Sequence, residues 1–155
     1  MTSSSTNSLQ IVSNSSEFTQ NLGRIIGEQG SAGDVVLLTG ELGAGKTCFV
    51  RGLCEGLGGD PSEVNSPTFV IMQEYAVGQG NRLVHIDAYR LHDEEELETI
   101  GWDELLCDPN VIIAIEWPSR IAEAMPEHAI TVSIEHLKEH ERSLSIDQSS
   151  SGDDA

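Results

Sequence analysis

The octapeptide Gly40-Glu41-Leu42-Gly43-Ala44-Gly45-Lys46-Thr47 limits what this chain can fold into more than any other stretch of its sequence. It follows the compact apolar run Val35 to Leu38, which reads as a buried parallel strand. It precedes a segment that sets Phe49, Val50, Leu53, Cys54 and Leu57 on one helical face. A strand, a glycine-rich turn with GxxxxGK[ST] spacing and a helix, in that order, form the phosphate-binding loop of an α/β fold. Glycines let successive backbone N–H groups converge on phosphate oxygens where side chains would obstruct them. The helix N-terminus adds partial positive charge at the same point. On this reading Lys46 reaches the terminal phosphates of ATP and the Thr47 hydroxyl ligates Mg2+. Four specified positions arise by chance in about one chain in 200 of this length, and the strand–loop–helix context makes coincidence rarer still.

Such a loop also needs a carboxylate at the end of a buried strand to hold the magnesium through its water shell. Two candidates exist. Asp87 follows Leu83-Val84-His85-Ile86, and Glu116 follows Val111-Ile112-Ile113-Ala114-Ile115. The second run is the more continuously apolar, as expected of a central strand beside the loop strand. Glu116 is therefore favoured for the metal shell, with Asp87 placing water or the γ-phosphate. Thr68, in Ser66-Pro67-Thr68-Phe69, is a candidate switch whose hydroxyl senses the γ-phosphate. Trp117 either stacks on a base or packs in the core. His85 alternates with apolar neighbours and reads as structural, not as a general base. Arg51 and Arg90 read as surface-paired.

The rest of the chain supports one α/β domain over residues 9–146. Residues 1–8 and 147–155 are rich in Ser, Asn, Gly and Asp and read as loose tails. Leu9 to Val12 forms a short strand. Asn14 and Glu17 have capping-box spacing before a helix with Phe18, Leu22, Ile25 and Ile26 on one face, ended by Gly30. Phe69 to Ala76 and Leu83 to Ile86 flank the turn Gly78 to Asn81 and read as a hairpin. Asp93 to Glu96 open an acidic helix, where carboxylates suit the helix dipole. Ile130 to Ile134 and Ser143 to Ile146 complete the strands.

Composition excludes several classes. No run approaches the roughly 18 apolar residues of a membrane span, and Met1 to Ser8 lacks the basic and apolar regions of a secretory signal. Cys48, Cys54 and Cys107 form no CxxC pair, which fits reduced thiols in a cytoplasmic protein. The 26 acidic residues outweigh eight Lys and Arg, for a formal charge of −18 that repels nucleic-acid phosphates. No Asn-Lys-x-Asp stretch marks guanine specificity, and the chain has no lid-like arginine cluster to clamp a second substrate.

The loop, together with Phe49-Val50-Arg51-Gly52, Ser66-Pro67-Thr68-Phe69, His85-Ile86-Asp87-Ala88-Tyr89-Arg90-Leu91 and Ile115-Glu116-Trp117-Pro118, resembles the bacterial TsaE family (formerly YjeE) over roughly residues 14–146. The resemblance implies a P-loop NTPase-type three-layer α/β sandwich with a mixed, mainly parallel sheet. It implies an ATPase required for forming N6-threonylcarbamoyladenosine in tRNAs that read ANN codons. Such a protein does not transfer the threonylcarbamoyl group. It acts on the TsaD–TsaB pair, its hydrolysis resetting that complex, and meets tRNA only through those partners. By motif, Glu41, Leu42, Gly43, Ala44, Gly45, Lys46 and Thr47 bind the phosphates, and Thr47 and Glu116 hold magnesium. Asp87 and Thr68 fall where the family has residues needed for activity, and Ser16 and Arg142 fall near its nucleotide pocket. Cys48 stands where many members carry a second Thr. Two other classes stay open: a nucleotide-dependent binding switch with incidental hydrolysis, and a small-molecule kinase.

Overall fold

The structure, a computed structural model, describes residues 6–41, 45–65, 72–91 and 95–149. Among these residues seven strands form one sheet: β1 (Thr6–Ser13), β2 (Val35–Gly40), β3 (Met72–Ala76), β4 (Arg82–Asp87), β5 (Val111–Glu116), β6 (Ile130–Lys138) and β7 (Glu141–Ser149). The helices are α1 (Ser16–Gln29), α2 (Lys46–Gly56), α3 (Glu95–Thr99) and α4 (Trp102–Cys107), with short 3-10 turns between.

The strand order is β1-β7-β6-β2-β5-β4-β3. The four central strands β6, β2, β5 and β4 run parallel to one another, while β3, β7 and β1 join antiparallel at the flanks. The sheet is mixed as expected, with its parallel character confined to that centre. Burial explains the division. All six residues of β5 are buried, as they must be in a strand covered on both faces. In contrast, β6 and β7 alternate buried Val132, Ile134, Leu144 and Ile146 with the half-exposed hydroxyl residues Thr131, Ser133, Ser143 and Ser145. That alternation is the mark of an antiparallel region with one wet face.

Two apolar layers sandwich the sheet. Val36, Leu38, Ile112 and Ala114 pack with Phe49, Val50 and Leu53 of α2 on one face. Val35, Val84, Ile113 and Ile115 pack with Leu97, Trp102 and Leu105 of α3 and α4 on the other. The three-layer sandwich implied by the resemblance is realised through this period-2 alternation in the strands.

Three details differ from the sequence reading. The outer strands pair further than expected, from Thr6↔Ser149 to Ser13↔Arg142, so residues 6–8 and 147–149 lie in the sheet and not in loose tails. A ladder is held by backbone hydrogen bonds, which polar side chains do not prevent. The cap of α1 is Ser15 and not Asn14: the Phe18 N–H donates to Ser15 Oγ at 3.0 Å. The buried face of α1 is Thr19, Gly23 and Gly27, whereas Phe18 and Ile25 are 40% and 39% exposed. Here α1 meets α2 backbone to backbone. A Cβ added at Gly52 would lie 1.8 Å from the Gln20 carbonyl oxygen, and one at Gly23 would lie 2.2 Å from that of Phe49. Close approach of the two backbones, not side-chain bulk, decides which face turns inward.

Candidate nucleotide site

Four parallel strands end side by side on one edge of the sheet, the position where open α/β sheets bind ligands. From β2 the chain passes Gly40 into the glycine-rich loop, and Gly45 precedes α2 with φ of 111°. That left-handed conformation suits glycine and would strain any side chain. Leu42, Gly43 and Ala44 lie outside the described residues, as does Thr68. Glu41 is exposed.

Lys46 opens α2 and is 5% exposed. Its ammonium donates to the Gly40 carbonyl at 2.7 Å, lies 3.8 Å from Glu116 Oε1, and sits 3.9 Å above the centre of the Trp117 ring. Burial holds the Lys46 pKa below its ordinary 10.5, opposed by the negative charges of Glu116 and then Asp87. Asp87 is paired in register with Glu116, and both terminate their strands on the α2 face of the sheet. The Tyr89 N–H donates to Asp87 Oδ1 at 3.1 Å, fixing the turn that follows. Lys46, Asp87 and Glu116 are thus brought together, with Thr47 half-buried beside Lys46.

Trp117 has φ of 60°, a left-handed conformation that costs a non-glycine residue roughly 1–2 kcal/mol. Its N–H donates to the Leu38 carbonyl at 3.1 Å, and its ring meets that of Tyr89 at 5.2 Å between centroids. These contacts hold the indole over the lysine. In this structure Trp117 covers Lys46.

On the other side of Gly45 is a cleft of about 270 Å3, lined by Ser16, Thr19, Cys48, His140 and Arg142 among others. It gathers Ser16, Cys48 and Arg142 around the start of α2. Thr19 and His140 were not singled out from sequence, because the first lies on the helix and the second on the β6–β7 turn, and only the fold brings them near the loop. His85, read as structural, is fully buried, and its Nε2 lies 2.6 Å from Glu116 Oε2. The available signal was its spacing: two residues before Asp87 on a strand, it shares that residue's face. Arg51 is not on the site; its Nε donates to the Val64 carbonyl at 3.0 Å.

Among the described residues no group of three or more His, Cys, Asp and Glu is placed to hold a metal ion. Magnesium in nucleotide sites takes one or two protein ligands and completes its octahedron with phosphate and water. A hydroxyl at Thr47 and a buried carboxylate at Glu116 are suitable hard donors.

The comparisons with known proteins follow this geometry. The family model described as "Threonylcarbamoyl adenosine biosynthesis protein TsaE" matches residues 13–144. The chain belongs to the TsaE family. A family member from Treponema pallidum, named tRNA threonylcarbamoyladenosine biosynthesis protein TsaE, is 39% identical over 139 residues, covering 89% of this chain and 99% of that one. The protein of the same name from Bacillus subtilis is 38% identical over 130 residues, 84% of this chain and 79% of its own. The crystal structure of Bacillus subtilis YdiB superposes with a TM-score of 0.74 at 28% identity, over 96% of this chain and 90% of that one. Membership accounts for the α/β fold and ties the chain to threonylcarbamoyladenosine biosynthesis. No helix among the described residues is long and apolar enough to cross a membrane.

Proposed function

We propose that this protein is a Mg2+-dependent ATPase that serves formation of N6-threonylcarbamoyladenosine in tRNA by acting on a TsaD–TsaB pair, without transferring the threonylcarbamoyl group itself. The observation that carries the reading is the convergence of Lys46, Asp87 and Glu116 where α2 begins and the parallel strands β4 and β5 end.

Phosphoryl transfer needs little covalent help from a protein; placement and electrostatics do most of the work. Backbone N–H groups from Glu41 to Thr47 and the N-terminus of α2 receive the phosphates. Lys46 leaves the Gly40 carbonyl to meet the terminal phosphate oxygens, a better partner for an ammonium because they are anionic. Thr47 and Glu116 hold magnesium, which supplies charge neutralisation at the β- and γ-phosphates when bound. Asp87 orients the attacking water, and Thr68 reads the presence of the γ-phosphate. The cleft beside Gly45, with Ser16, Cys48 and Arg142, takes the remainder of the nucleotide.

The acidic surface supports indirect handling of tRNA. A chain with formal charge −18 gains nothing from counterion release on a polyanion, so the partners hold the tRNA. An ATPase assay with and without TsaD–TsaB tests the proposal: slow turnover alone and marked stimulation by the pair are expected. Two rival readings have their own signatures. Full complementation by a Glu116→Gln variant that binds but does not hydrolyse ATP favours a binding switch. Phosphate found on a metabolite and not in solution favours a kinase.

A further inference from the structure

His85 lies on the sheet face that carries the site, on β4 beside β5. It stands on β4 in line with Leu83 and Asp87, across from Ala114 of β5, while Glu116 is the next residue of β5 on that face. The small Ala114 side chain leaves the imidazole room to lean along the sheet toward the carboxylate. Nε2 and Glu116 Oε2 are 2.6 Å apart, His85 is fully buried, and Glu116 is 7% exposed. Among the described residues, His85 Nδ1 is buried with no hydrogen-bond partner.

These facts define the imidazole's chemistry. A carboxylate only accepts, so the proton of this contact sits on Nε2, which donates. A buried donor at 2.6 Å fixes the carboxylate rotamer. With Oε2 occupied by His85, Oε1 is the oxygen that faces Lys46 at 3.8 Å.

We infer that His85 is a positioning residue for metal binding: by holding Glu116 Oε2 it presents Oε1, and only Oε1, to the magnesium shell. The inference rests on the proposed nucleotide site and adds a residue to it. Carboxylates that serve metals are themselves held by hydrogen bonds, and loss of such support lowers metal affinity about 10–100-fold. An ordinary core histidine would instead find its partner in backbone or structural polar groups, not in the acid that ends the neighbouring strand beside the loop lysine.

The test is binding of a non-hydrolysable ATP analogue, measured by calorimetry across a Mg2+ titration, for wild type, His85→Leu and His85→Gln. His85→Leu is expected to raise the half-saturating Mg2+ concentration about 10–100-fold while leaving metal-free binding of the analogue unchanged. His85→Gln, whose amide can donate to the same oxygen, is expected to return the requirement to within about threefold of wild type. A His85→Leu protein that melts earlier yet keeps the wild-type Mg2+ requirement would overturn the inference, leaving His85 a packing residue. An independent reading needs no variant: nitrogen-15 spectra of the metal-free protein should show a proton on Nε2, the atom that meets Glu116, and a bare Nε2 would overturn the assignment. Wild-type binding indifferent to Mg2+ at every concentration would instead sink the metal reading beneath it.

Discussion

A lysine ammonium buried to 5% exposure must find oxygen or π-electron partners, and Lys46 finds a carbonyl, a carboxylate and an indole within 4 Å. Each is weaker for a cation than a triphosphate, so the residue is held ready but not satisfied. Lys46→Ala is expected to lower ATP affinity beyond detection at micromolar concentrations; an unchanged affinity in a calorimetric titration would remove the loop from the site. Asp87→Asn and Glu116→Ala are each expected to cut steady-state hydrolysis at least about 100-fold, and wild-type rates in either would refute their placement. Cys54 offers a test away from the site. It is fully buried, and burial, aided by Glu63, Asp60 and Glu55, raises its pKa from 9.0 to about 11. The folded value exceeds the unfolded one, so the thiol's contribution to stability is whole below pH 9 and is lost as pH rises through about 11. The stability difference between wild type and Cys54→Ala should therefore be level to pH 9 and then fall by roughly 1.4 kcal/mol per pH unit; a level difference to pH 11 in chemical denaturation would contradict the burial argument. At this scale the sequence showed Lys46, Asp87 and Glu116 clearly, since each stands at a motif or strand end. The roles of Trp117 and His85 were not legible. One depends on a left-handed turn and the other on which strand lies alongside.

Helices and strands were mostly readable from period alone: β2, α2, β4 and β5 form where apolar spacing places them. The α1 helix was also readable, and its inner face in part: Leu22 and Ile26 pack against the core, while Phe18 and Ile25 stay exposed. Hydrophobic spacing points Phe18 and Ile25 inward, whereas Gly23 and Gly27 lie against the backbone of Phe49, Leu53 and Gly56 in α2. The cue was present as two glycine pairs with four-residue spacing, one on each helix, yet neither pair has meaning until the helices are known to be neighbours. This contact seats the N-terminus of α1, with Ser15 and Ser16, beside Gly45. It yields a prediction that opposes helix propensity. In an open helix Gly→Ala gains about 1 kcal/mol. At Gly52 the added methyl meets backbone at 1.8 Å, which no rotamer can relieve. Gly52→Ala is expected to destabilise the fold by roughly 2–3 kcal/mol and to weaken nucleotide binding as α1 shifts. A variant that melts at or above the wild-type temperature would show that the two helices do not pack this closely.

At the scale of the molecule, a parallel four-strand centre aims Asp87 and Glu116 at one loop, and antiparallel strands close the sheet on either side. Mixed topology was expected from kinship, while the strand order was invisible to composition and period. The charge of −18 belongs to this scale too. It predicts that the isolated protein retains no tRNA in filter binding at physiological salt, whatever its nucleotide state; retention at micromolar concentration would contradict indirect handling. Such a surface fits the proposed action through partner proteins. The central claim is that ATP hydrolysis at Lys46, Asp87 and Glu116 sustains tRNA modification by partner proteins. It is tested most directly by following N6-threonylcarbamoyladenosine formed by purified TsaD–TsaB, with this protein or its Asp87→Asn variant added. Repeated turnover with wild type and a single round or less with the variant is the predicted result; equal product with both, or with neither protein added, would contradict it.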